Sequence, residues 1–111
     1  MHEKRRSKRK NVDFKGEIIL NDLVYAGTIE NISEKGIYIE TEPEDPLSQN
    51  SLFTTGMELR IHFLSPSGEM LKLHCKVIWS YKAEPQGLTE KTGMEVIFPP
   101  PGFIELYNEL K

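Results

Sequence analysis

Cysteine is almost missing from this chain: Cys75 is the only one among 111 residues. An intramolecular disulfide is therefore excluded, as is any zinc site built from several thiolates. Long apolar runs are missing too. No stretch approaches the roughly 20 apolar residues that cross a bilayer, and the basic N-terminus MHEKRRSKRK is not followed by the apolar segment of a secretory signal. The expectation is a cytoplasmic chain with no membrane insertion. Catalytic signatures are also lacking: there is no GxSxG elbow, HExxH, P-loop or GxGxxG pattern. His62, His74 and Cys75 are the only soft metal ligands in the body of the chain. His74 and Cys75 are adjacent, so on a strand they point to opposite faces and do not share an ion. The chain is expected to hold no metal and to be no enzyme.

What is present suits one folded domain. The composition is 38% hydrophobic and 28% charged, outside the regime of disorder, and a chain of this length has surface enough to bury for one core. The formal charge of -3 conceals an asymmetry. Lys4, Arg5, Arg6, Lys8, Arg9 and Lys10 form a basic run, while from Asn11 onward eight basic residues face sixteen acidic ones, a net of -8. A long phosphate backbone would be repelled by such a body everywhere except at the arm, so nucleic acid is not expected as a partner and a small anion fits better.

Hydrophobic alternation marks strands. Val12, Phe14, Gly16, Ile18 and Leu20 share one face of a period-2 pattern, and after the Asn21-Asp22 turn the run 23–30 alternates again, giving a hairpin. A third strand is expected at 36–41, then a long loop over 42–56 that contains two prolines. Strands follow at 57–63 and 70–81, the latter with Leu71, Leu73, Cys75, Val77 and Trp79 inward. After a loop over 82–92, a sixth strand spans 93–98, and Pro99-Pro100-Pro101 ends sheet pairing. Phe103, Ile104, Leu106, Tyr107 and Leu110 are near helical spacing, so a short amphipathic helix covering an edge or end is expected over 102–111. The pattern predicts an all-β fold, a six-stranded antiparallel barrel with a short C-terminal α-helix. The division is a flexible basic arm, 1–11, and a single barrel domain, 12–111.

Two constellations carry binding chemistry. Arg5 and Arg9 form an RxxxR pattern, with Arg6 between them. A guanidinium fork bonds phosphate bidentately, stacks on a purine, and fits guanine O6 and N7. Asn31, Ser33 and Gly36 form NxSxxG between the second and third strands. The amide and hydroxyl can bond a base or phosphate edge, and glycine allows positive φ or close backbone approach. Each motif also has a plainer reading, a solvated basic tail and an Asx or Ser turn that bonds its own backbone.

The pair in this order, an RxxxR arm before the first strand and NxSxxG one hairpin later, resembles the PilZ family. Val77-Ile78-Trp79 and Gly93-Met94-Glu95-Val96 are similar to its later strands. The resemblance implies a cyclic di-GMP-binding receptor or effector domain in bacterial second-messenger signalling, with no other cofactor and with a downstream protein partner. Arg5 and Arg9 would grip guanine and phosphate, with Arg6 as a helper or, in a register shifted by one, in place of Arg5. Asn31, Ser33 and Gly36 would line the loop that reads a guanine. The alternative is a PilZ-like adaptor that binds no nucleotide and acts through protein contacts.

Overall fold

The computed structural model describes residues 8–42, 52–83 and 89–110. Six strands run β1 (Lys10–Leu20), β2 (Leu23–Ile32), β3 (Gly36–Thr41), β4 (Glu58–Leu64), β5 (Met70–Ala83) and β6 (Thr89–Ile97), followed by helix α1 (Pro101–Glu109). All pairings are antiparallel, and the order β1-β2-β3-β6-β5-β4 closes into a barrel. Closure leaves no sheet edge to protect. The expected all-β barrel with one C-terminal helix is the observed fold.

The interior is filled by the inward residues of every strand, among them Ile18, Ile29, Ile39, Ile61, Leu73 and Val96. Branched side chains at alternate positions suit this space because they pack against a pleated wall with little rotamer freedom to lose. Phe103, Leu106 and Tyr107 of α1 join the same core, while Ile104 faces outward. Pro101 is the first residue of the helix rather than only a strand breaker, a position where its missing N–H is not needed. Lys10, on the inward parity of β1, sends Nζ to the Tyr107 and Leu110 carbonyls at 2.9 and 2.8 Å, and so caps the helix C-terminus with a cation. The Tyr107 hydroxyl donates to the Lys8 carbonyl and accepts from the Lys8 N–H, tying the root of the N-terminal arm to the helix.

Two expectations about the strands are corrected. Trp79 is not inward: the β5–β6 register shifts between Val77 and Trp79, so that Val77 pairs with Met94 and Trp79 with Gly93. Ile78 is the extra residue of a bulge, and beyond it the parity reverses, leaving Trp79 40% exposed and Ser80 turned inward. The sixth strand begins at Thr89, not at Gly93, because Glu90 and Thr92 are fully buried and reach polar partners inside the barrel. Glu90 accepts from the Leu52 and Phe53 N–H groups at 2.7 and 3.2 Å and from the Ser80 hydroxyl at 2.6 Å. Those bonds fix the end of the loop before β4, whose Phe53 is 1% exposed and belongs to the core. The loop expected over 42–56 thus supplies a core plug that alternation could not reveal.

Candidate functional site

The site is assembled where β1 begins and β2 turns into β3. Two register shifts aim its residues. In β2 a shift between Ile29 and Asn31 makes Glu30 the extra residue, so Ile29 and Ile32 both point inward and Asn31 faces out beside Tyr38. Without that bulge Asn31 would share the inward parity of Ile29. Asn31 therefore lies within β2, and Gly36 is the first residue of β3, so only residues 33–35 form the connection. Arg9 precedes β1 on the outward parity, opposite to Lys10. Its Nη1 donates to Asn31 Oδ1 at 2.8 Å.

Ser33 binds its own turn. Its N–H donates to the Gly36 carbonyl at 2.8 Å, and its hydroxyl makes a longer contact with the same oxygen at 3.5 Å. The turn reading thus describes Ser33 in the free protein but not Asn31, whose amide oxygen serves Arg9. Gly36 is not in the left-handed region. Its value is space: a Cβ there would lie 3.1 Å from the Met94 carbonyl, 3.2 Å from Ser33 Oγ and 3.7 Å from Arg9 Nη2. Lys35 is held by its carbonyl, which accepts from the Val96 N–H at 2.7 Å, docking the turn on β6.

Arg9, Ser33, Gly36, Ile78 and Glu95 line one open cleft of about 520 Å³, together with Glu34, Lys35 and Met94. This is within the usual size range of small-molecule sites, roughly 300–1,000 Å³. Of the six residues named from sequence, Arg9, Asn31, Ser33 and Gly36 are brought together; Arg5 and Arg6 lie outside the described residues. The cleft presents a planar cation, a hydroxyl and a bare backbone position, with the Asn31 amide bonded to that cation, which suits an anion that also has a planar base.

Sequence reasoning missed an aromatic row on the outer surface next to the cleft residue Ile78. Beyond Ile78 the outer surface carries Tyr38, Trp79 and Tyr81, with Trp79 5.3 Å from Tyr38 and 5.6 Å from Tyr81 between ring centroids. The indole lies over Gly93, where a Cβ would be 2.4 Å from Trp79 Cε2. Lys91 Nζ closes this row, bonding Glu30 at 3.1 Å and Glu40 at 3.3 Å. Burial alone would lower its affinity for a proton, but those two carboxylates outweigh burial and raise the Lys91 pKa. A hydrogen bond with Tyr81, with burial second, raises the Tyr38 pKa. The one signal available was Gly93 itself, since a glycine inside a strand marks a close approach.

Among the described residues no group of three or more potential metal ligands is gathered. No helix there is long and apolar enough to cross a membrane.

Comparison with known proteins places this geometry. Solved structures share the fold, among them the following two. The Bacillus subtilis inhibitor of motility MotI/DgrA aligns with a TM-score of 0.74 at 18% identity, over 98% of this chain and 50% of that one. The PilZ domain of YcgR from Escherichia coli, solved with c-di-GMP, aligns with a TM-score of 0.71 at 12% identity, over 96% and 87%. This chain thus spans half the length of MotI/DgrA. No curated protein matches the sequence. The PilZ domain model matches residues 3–103, nearly the whole chain. The chain therefore belongs to the PilZ family of cyclic di-GMP-binding domains.

Proposed function

We propose that this protein is a cyclic di-GMP receptor in a bacterial cytoplasm, which grips the ligand between the RxxxR arm and the NxSxxG turn and passes the signal to a protein partner without catalysing a reaction. The observation that carries the reading is the Arg9–Asn31 bond, because it brings the arm motif to the turn motif at the mouth of a cleft of fitting size. The ligand carries two phosphates and two guanines. Arg9, with Arg5 or Arg6, meets phosphate or the guanine O6/N7 edge through its fork. Asn31 and the Ser33 hydroxyl offer bonds to a base, and Gly36 lets the ligand approach the backbone. Asn31 exchanges one partner for another on binding, so its desolvation is offset in both states.

The test is calorimetric titration of the purified chain with cyclic di-GMP, GTP and cyclic di-AMP, repeated on Arg9→Ala. Selective binding of cyclic di-GMP that is lost in the variant supports the receptor. A folded wild-type chain that binds none of the three rejects it and leaves the adaptor, for which exposed Trp79 and Tyr81 with half-buried Tyr38 form the contact surface to examine.

A further inference from the structure

The cleft contains an acid that an anion-binding site would not be expected to keep. Glu95 stands on the outward parity of β6, exposed, as the register partner of Gly36 on β3 and of Lys76 on β5. It lines the same cleft as Arg9. Paired positions across strands are about 5 Å apart, and Gly36 places no side chain between them. Arg9 Nη2 approaches Gly36 from the β2 side to within 3.7 Å of the missing Cβ. Hence a fork of donors and a pair of acceptors flank one bare patch of backbone. Among the described residues the Glu95 side chain makes no hydrogen bond or ion pair, with Lys76 or with Arg9. Its backbone is held by strands on both sides, so its root is fixed while its carboxylate is free.

A carboxylate beside a bound dianion weakens binding by repulsion unless it meets donors. Guanine provides them: N1–H and one N2–H point the same way along its Watson–Crick edge, matching the two oxygens of a carboxylate as an arginine fork does. Adenine presents an acceptor at N1 instead and would be repelled. We infer that Glu95 reads the Watson–Crick edge of a guanine whose other edge or phosphate is held by Arg9, making it the residue that selects guanine in this cleft. The inference rests on the receptor reading above and adds to it a specificity-determining residue.

The experiment compares cyclic di-GMP with its inosine analogue, which lacks only the 2-amino groups, on the wild type, Glu95→Gln and Glu34→Gln, with melting temperatures to verify folding. The wild type is expected to prefer the guanine ligand by about tenfold, the worth of one charge-assisted bond. Glu95→Gln should bind cyclic di-GMP about tenfold more weakly and lose most of that preference, since an amide turns its N–H₂ toward a base donor. Glu34→Gln removes the same charge from the same cleft and should move both ligands alike, with the preference retained. If Glu95→Gln binds both ligands equally well or more tightly with the preference intact, Glu95 is only a repulsive neighbour: this inference fails while the receptor reading stands. A wild type without preference between the two ligands also overturns it. A wild type that binds neither ligand overturns both readings.

Discussion

Arg9 Nη1 and Asn31 Oδ1 meet at 2.8 Å across 22 residues of sequence, and both are aimed outward by strand parity, Asn31 only because Glu30 is bulged out of the β2–β3 ladder. The bond is exposed, so its contribution to stability is small, on the order of 0.5–1.5 kcal/mol. Its consequence is positional, since it holds the guanidinium at the cleft mouth.

Arg9→Ala should therefore leave the melting temperature within a few degrees of wild type while lowering affinity for cyclic di-GMP about tenfold or more. Arg9→Lys should weaken binding as well, because a point ammonium reproduces neither the fork nor the stack. Titration of the two variants checks this, and unaltered affinity in Arg9→Lys would reject the fork geometry.

Glu90 links three segments through its buried carboxyl group, taking donors from Leu52, Phe53 and Ser80. Glu90→Ala orphans these donors and opens a cavity, so it should destabilise the fold by about 3 kcal/mol or more. Glu90→Gln keeps the shape and should cost less. Urea unfolding of both variants measures the difference, and equal stability for Glu90→Ala and wild type would refute the role of this junction.

Gly93 accepts the Trp79 indole so closely that an alanine Cβ would stand 2.4 Å from the ring. In Gly93→Ala the half-exposed indole must swing off the sheet, at a cost of about 1–3 kcal/mol. Trp79 is the single tryptophan, so its emission reports the change without interference. A red shift is expected; an unshifted spectrum would mean that the ring does not rest on Gly93.

Burial pushes the Cys75 thiol up to about 12 from an ordinary 9.0. The native thiol should resist a disulfide reagent at pH 8 and react only upon unfolding. Between pH 9 and 12 the unfolded thiol loses its proton while the folded one keeps it. The folded state then binds more protons, and stability must fall as pH rises. Lys91 and Tyr38, also shifted upward, act in the same direction. Comparing melting curves of wild type and Cys75→Ala from pH 8 to 11 isolates the thiol: its share is absent in the variant, and parallel curves would reject the shift.

Much of the barrel was legible in the sequence because alternation is a direct record of which face meets the core. Residues 12–20 and 36–41 are strands as expected, with β1 starting two residues earlier, at Lys10. The motif residues were legible for a different reason, since guanidinium, amide, hydroxyl and glycine at these spacings carry their chemistry in their identities. Alternation, however, assigns a face only until the next bulge, and a bulge is a property of pairing between strands that leaves no mark in composition. Extending the parity through Val77 put Trp79 inside, whereas the extra residue Ile78 puts it on the surface. Glu90 and Phe53 show the complementary limit: an acid reads as solvent-facing and an isolated aromatic reads as loop until backbone donors distant in sequence are brought to meet them. The sequence alone determined the strand periodicity, the acidic body with its basic arm, and which side chains carry guanidinium, amide and hydroxyl groups. Tertiary structure decided which of them share a cleft, because bulges at Glu30 and Ile78 set the outward faces and closure of the barrel brings Glu95 across Gly36 from Arg9.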